Sequence, residues 1–383
     1  MSRRLTAALV SIVLLAVACT SQAAPTTTTD APTTTTSTTT TVAPATTTST
    51  TTTLPPTTTT TEPPIIVSSA INGLPSDDPA SIDRRVVAVK IDNHPEARPQ
   101  TGVQEADAVY EILVEGGYTR FITLFHQTDL DYVGPVRSGR PTDINVIKPL
   151  DAPFQISGAQ KFVQDLFRAD GLHMVYDNGV TTFRQSHRQA PHNLYTNPLV
   201  IREWADGRSW SDDNPGNLFA YGESSSGETR AHQITFDWSS QPSVIWKWTG
   251  STYLRFNETD PHGWVNKERT EEGTVSAETL LAIIGNRYTV NPPPPPTTTT
   301  STTIEGEEPP PPPKLETPVP AIDVVGTGRA ILFIEGKVVE GTWSKDSKAD
   351  PFELLLEDGS TMLLPPSRLW VSIFPSNRDI TWN

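Results

Sequence analysis

The chain has 383 residues, with 44 Asp and Glu against 29 Lys and Arg, and a formal net charge of −15 at pH 7. That balance argues against a nucleic-acid partner and against an electrostatic grip on anionic lipid. The single cysteine, Cys19, leaves no disulfide framework, no cysteine-based zinc site and no cysteine nucleophile for a mature protein.

Arg3 and Arg4 open the chain, and Leu5 to Ala18 is an apolar stretch of signal-peptide length, too short for a stable membrane span. It ends in Ala16-Val17-Ala18-Cys19. Small residues before a cysteine fit the narrow pocket of a lipoprotein signal peptidase, so residues 1–18 are expected to be a lipoprotein signal peptide and Cys19 the lipidated new N-terminus. An ordinary secretory cleavage after Ala24 is the competing reading. Loss of residues 1–18 removes two arginines and no acid, which takes the mature chain from −15 to −17. Membrane attachment then falls to the lipid, and the two chains of a diacylglycerol make it stable.

Residues 19–64 read as a disordered stalk, almost entirely Thr, Pro, Ala and Ser from residue 26. Such a segment has nothing to bury and cannot offset its ordering entropy. The composition is that of O-glycosylated stalks and stiff spacers, with a fully extended reach of roughly 120 Å.

The globular region is expected to be α+β, with a mixed α/β N-terminal domain over residues 70–215. Arg85 to Ile91 is a β-branched run that predicts a buried strand, followed by the loop Asp92-Asn93-His94-Pro95. Ala108–Val114 and Thr119–Phe125 flank Gly116-Gly117, a hairpin signal. Phe162, Val163, Leu166 and Phe167 predict a helix over residues 159–169, stopped at Gly171. Asn197 before Pro198 predicts a second helix running to about Asp206, because a capping side chain precedes a proline in the first turn.

A smaller antiparallel β-rich C-terminal domain is expected over residues 228–376. Its strands read as Gln233–Trp238, Ser243–Thr249 and Tyr253–Asn257, then Ala330–Ile334 with Lys337–Trp343 around Glu335-Gly336. Phe352–Leu356 and Ser360–Leu364 are expected to pair around Asp358-Gly359. The Pro/Thr segment at 291–318 interrupts this domain and reads as a disordered surface insertion, since loops accept length at little cost. Docking into a partner's aromatic groove in polyproline form is the alternative.

Three groups of residues carry potential chemistry. The first is Glu111, Glu115 and Arg120 with the loop Gly134-Pro135-Val136-Arg137-Ser138-Gly139-Arg140, whose guanidiniums, hydroxyl and glycine backbone suit a carboxylate or phosphate. An internal ion-pair network among Glu111, Arg120, Arg137 and Arg140 is the plainer reading. The second is Arg184 with Pro191-His192-Asn193, where His192 could act as a base oriented by an amide. Ser157-Gly158, before the predicted helix, offers a hydroxyl and helix N-terminal amides. The third is the set of nine tryptophans, all after residue 200, either stacking platforms or the core of a small β domain. No GxSxG elbow and no HExxH-type spacing occurs, so neither a metal nor a cofactor is expected.

The run ARPQTGVQEADAVYEILVEGGYTRFITLFHQTDLDYVGPVRSGRP at 97–141, APHNLYTN at 190–197 and GTGRAILFIEGKVVEGTW at 326–343 resemble the YerB-like bacterial lipoproteins. The resemblance covers about residues 70–375 in two successive domains; the stalk and the insert depart from the family's pattern. It implies a membrane-anchored extracytoplasmic protein in two domains without an established activity, and it transfers no catalytic residue.

The expected function is therefore a lipid-anchored, non-catalytic binding protein of the cell envelope, attached to the membrane through Cys19. Its ligand-binding residues would be Glu115, Arg120, Arg137, Ser138, Arg140, Arg184, His192 and Asn193. Cell-wall fragments or another envelope protein are the expected partners. The alternatives are a cell-wall glycan or peptide hydrolase or transferase with Glu111, Glu115 or His192 as acid or base, and a structural envelope scaffold.

Overall fold

A computed structural model describes residues 67–224, 227–294 and 315–383. The signal peptide, Cys19, the stalk to residue 64 and most of the Pro/Thr insert lie outside these residues.

The principal elements of the N-terminal part are β1 (Val87–Asp92), β2 (Ala108–Leu113), β3 (Thr119–Phe125), β4 (Phe154–Gln155), α1 (Lys161–Ala169), β5 (Met174–Val175), β6 (Thr182–Arg184), β7 (Leu194–Thr196) and α2 (Pro198–Asp206). The C-terminal part adds β8 (Gln233–Phe236), β9 (Val244–Trp248), β10 (Tyr253–Asn257), β11 (Thr279–Val290), β12 (Gly326–Ile334), β13 (Lys337–Lys345), β14 (Leu369–Pro375) and β15 (Ile380–Trp382). Strands dominate both parts. The helices of the N-terminal part are few, so its mixed α/β description is richer in helix than the fold itself.

All six residues of β1 are buried, as the β-branched run predicts. The β2–β3 hairpin forms with Leu113 opposite Thr119. Asn197 caps α2 by accepting from the backbone N–H groups of Leu199 and Val200, and Pro198 occupies the first turn. Helix α1 buries Phe162, Val163 and Phe167. The Glu335-Gly336 hairpin forms, with Ile334 opposite Lys337. The Asp358-Gly359 hairpin is shorter than expected: Glu353–Leu356 is a strand, but the returning arm makes a single bridge, Leu355 to Thr361.

Ten strands of the main twelve-stranded sheet follow one another in space as Thr229–Arg230, β13, β12, β11, β14, β2, β3, β1, β4 and β5. Val319–Asp323 pairs with β11, and Glu353–Leu356 with β13. The two halves of the chain thus share one sheet, joined where β14 runs parallel to β2. Strand β14 is also parallel to β11, so the C-terminal part is not purely antiparallel. The strands flanking the insert pair antiparallel, Val290 opposite Val319.

A second, six-stranded sheet places β10, β9, β8 and β15 side by side. It packs on the main sheet through Phe236 against Phe333 and Phe374, with ring centroids 6.3 and 5.7 Å apart, and through Trp382 against Phe333 at 5.6 Å. Trp246 and Trp370 meet edge-on at 5.1 Å, and Trp370 meets Phe121 at 5.0 Å. Trp238, Trp246, Trp343 and Trp370 are all buried, so these four serve the core rather than a stacking platform.

Candidate functional site

The register dictates where polar side chains collect. Strands β1 and β2 are both antiparallel to β3, and β4 and β5 are parallel to β1. The carboxyl ends of β1, β2, β4 and β5 therefore share one edge of the sheet, together with the start of β3. In open sheets with parallel strands, clefts outside the carboxyl ends are favoured ligand positions. Here that edge carries Asp92, Glu115, Arg120 and Ser157, with Asp92 directly opposite Arg120.

Asp92 organises the edge. Its Oδ1 accepts from the His94 backbone N–H at 3.2 Å, and its Oδ2 lies 2.7 Å from His192 Nδ1. Arg137 Nε stands 3.1 Å from the same Oδ2. The side chain of Asp92 is only 4% exposed, so its charge is held by partners rather than water. The 134–140 loop is also tied by backbone to the start of β7, just after the 190–193 loop, Val136 N–H donating to Leu194 O at 2.6 Å. The loop residues Ser138 and Ser157 meet at 3.2 Å, and Gly139 N–H donates to Gly158 O at 3.0 Å.

Arg140 Nε pairs with Glu115 Oε2 at 2.6 Å. Burial pushes the Glu115 carboxyl up, but the Arg140 contact outweighs it and holds the group below its ordinary range. Glu115 is thus an ion-paired carboxylate, not an acid ready to give a proton. Arg120 donates to the Ser138 carbonyl at 2.7 Å. Its guanidinium is lowered to about 9, first by burial and then by the neighbouring Arg140.

Glu111 is not at this edge. It is fully buried and bonded to Arg255 of β10 at 2.6 Å, to the Thr119 hydroxyl at 2.7 Å and to Trp370 Nε1 at 3.0 Å. The expected acid–base role is corrected: a carboxylate saturated by three donors in the core has no route to substrate. The expected network of Glu111 with Arg120, Arg137 and Arg140 is likewise replaced by three separate pairs, Glu111–Arg255, Asp92–Arg137 and Glu115–Arg140.

The core pair reaches back to the edge through groups the sequence did not single out. Arg255 can only donate, so the His262 Nδ1 it touches is an acceptor, and the Nε2–H donates to Gln100 Oε1 at 2.8 Å. Burial, reinforced by Arg255 and Arg98, keeps His262 far below its ordinary pKa and neutral. Gln100 in turn donates to the Asp92 carbonyl at 3.0 Å. Only proximity in the fold reveals this chain; its members are spread from residue 92 to residue 370.

Arg184 and Asn193 do not join the Asp92 cluster. They bond each other at 2.9 Å on the β6–β7 hairpin, and Arg184 also pairs with Asp177 at 2.8 Å. His192 does join it through the Nδ1 contact with Asp92; its Nε2 lies 3.2 Å from Glu96 Oε2, and its ring stacks on His94 at 5.0 Å. Beside it opens a groove of about 480 Å³ lined by Glu96, Arg98, His187, Arg188, His192 and Arg269. Burial, then the neighbouring Arg255, lowers Arg98 to about 10. Arg98 also lines a second groove of about 510 Å³, flanked by half-buried Trp264. Among the described residues, no helix is long and apolar enough to cross a membrane.

Comparison with known proteins accounts for most of the chain. Residues 71–211 match the N-terminal domain, and residues 232–371 the C-terminal domain, of the family described as protein of unknown function DUF3048. A Bacillus subtilis protein, YerB, whose name proposes it as a lipoprotein, is 23% identical over 301 residues, covering 76% of this chain and 82% of its own length. The crystal structure of the Bacillus subtilis YerB protein superposes with a TM-score of 0.65 at 22% identity, covering 82% of this chain and 99% of that one, and shares the fold. With both halves matched in order, the chain belongs to the YerB-like family of two-domain proteins.

Proposed function

We propose that the protein is a lipid-anchored, non-catalytic component of the cell envelope that binds an anionic ligand at the Asp92 edge of the sheet. The anchor reading rests on the Cys19 pattern and on the lipoprotein name carried by the relative. The observation that carries the binding reading is a local surplus of positive charge. Arg120, Arg137 and Arg140 stand against only Asp92 and Glu115, and Lys90 is already taken by Asp143 at 2.6 Å. The neighbouring groove repeats the imbalance, with Arg98, Arg188 and Arg269 against Glu96. On a chain of net charge −15, such a concentration of guanidiniums suits a carboxylate or phosphate, which Arg engages through paired hydrogen bonds. Wall peptides and wall phosphate polymers both present these groups.

The test is titration of the purified mature chain with soluble wall peptide fragments and with a phosphate-bearing wall polymer. The Arg137→Ala, Arg140→Ala double variant should bind the preferred fragment at least about tenfold more weakly, the loss of one or two charge-assisted contacts. Arg137→Gln alone, which keeps the Glu115–Arg140 pair, guards against loss of fold. Wild-type affinity in both variants would remove this site from consideration.

A further inference from the structure

Linear spacing offers no metal motif, yet the fold assembles one. His94 and Glu96 sit two residues apart in the short turn that follows β1, and His192 arrives from a loop one hundred residues beyond Asp92. One ligand atom from each of these three side chains lies within 4.8 Å of the others. We propose that His94, Glu96 and His192 form a divalent-cation site of the zinc type, with Asp92 as its positioning residue.

The geometry supports this in three respects. First, His192 Nε2 and Glu96 Oε2 are 3.2 Å apart. Two ligands each about 2.0–2.1 Å from a tetrahedral zinc ion stand roughly 3.3 Å from one another. Second, Asp92 holds two of the three ligands. Its carboxylate accepts the His192 Nδ1–H at 2.7 Å, which fixes the tautomer and leaves the Nε2 lone pair for an ion, and it also takes the His94 backbone N–H. A carboxylate behind a histidine is the usual outer partner of a metal-bound imidazole. Third, His94 Nδ1 is 3.9 Å from Glu96 Oε2, within reach of the same ion once the His94 ring turns out of its stack on His192. That turn gives up the ring stack and one long bond, Glu96 N–H to His94 Nδ1 at 3.3 Å.

Two imidazoles and one carboxylate leave the fourth position of a tetrahedral ion open. Glu96 and His192 both line the groove that holds Arg98, Arg188 and Arg269. An anion in that groove would find the cation at one end and guanidiniums along its wall.

The proposal is tested on the metal-free full mature chain, untagged and carrying Cys19→Ser so that no thiolate competes. Titration with cobalt(II) chloride, with no wall fragment present, should give the visible bands of four-coordinate cobalt at one equivalent per chain, and zinc(II) should abolish them. Asp92→Asn should weaken the affinity about 10–100-fold. Asp92 and His192 are buried, so the decision rests on His94→Ala and Glu96→Gln at more exposed positions. Each should bind cobalt at least about tenfold more weakly with an unchanged circular dichroism spectrum, the scale at which even outer partners act. His187→Ala, in the same groove, should bind as the wild type does. Absence of bands in the wild type, or wild-type affinity in both His94→Ala and Glu96→Gln, overturns the proposal. Neither result bears on Arg137 and Arg140, so the anion-binding reading stands or falls separately.

Discussion

At the scale of single residues, Glu111 shows how charge type alone misleads. Its place in a strand near Arg120 suggests an accessible acid, but the alternate face of β2 meets β10, and the partner is Arg255. Both side chains are at most 1% exposed. Burial lowers the Arg255 pKa despite Glu111, so the pair is a costly arrangement: Glu111 is held by three donors, but Arg255 Nε is buried without a hydrogen-bond partner. Glu111→Ala should destabilise the protein by about 3–5 kcal/mol in urea unfolding, because it strands a buried guanidinium. The Glu111→Met, Arg255→Met double variant should recover most of that loss. A double variant as unstable as the single one would show that the pair contributes more than its desolvation costs.

At the scale of elements, the hairpins and caps were legible because their signals are local. Gly116-Gly117, Glu335-Gly336 and Asn197-Pro198 each state a backbone geometry within a few residues. Among the strands without such punctuation, β11 and β14 are the longest that the sequence does not announce. Leu280 to Ile283 and Leu369 to Phe374 are near-continuous apolar runs, as expected for strands covered on both faces, and periodicity cannot separate them from buried helix. They are also the strands on which the union of the two halves depends. Val371 of β14 stands between Leu281 of β11 and Tyr110 of β2. Val371→Pro removes a ladder donor from a central strand and should cost about 3 kcal/mol or more. Hydrogen exchange should then show lost protection in β2 as well as β11. Loss confined to the C-terminal strands would mean that the two halves unfold independently.

At the scale of the whole molecule, stability should pass through an alkaline maximum. Lys345 is 1% exposed, and burial lowers it from 10.5 to about 8 against the weaker opposing pull of Asp350. Between about pH 8 and 10.5 the unfolded chain holds this proton while the folded chain has released it, so stability rises with pH. The slope from this lysine is at most about 1.4 kcal/mol per pH unit. Tyr110 and Tyr253 act in the opposite sense: burial raises both, so above about pH 10 the unfolded chain ionises first and stability falls. Urea unfolding across this range should show the rise and the fall. Lys90, which burial likewise lowers to about 8, adds to the same limb, so Lys345→Met should reduce the rise by about half and leave the falling limb in place; an unchanged rising limb would assign it to Lys90 and other groups.

The sequence by itself determined what depends on neighbours along the chain. The signal-like start, the sole cysteine, the Thr/Pro composition, the hairpins, the capped helix and the family motifs all belong to this class. It also placed Arg137 and His192 among the binding candidates, and these do converge on Asp92. Tertiary structure alone decided which charge meets which. It buried Glu111 against Arg255, sent Arg184 to Asp177, and brought His94 and Glu96 to His192 across about one hundred residues. The physical reason is that pairing energies act over a few ångströms of space and carry no record in linear distance, whereas turn and capping preferences are local to the backbone that expresses them.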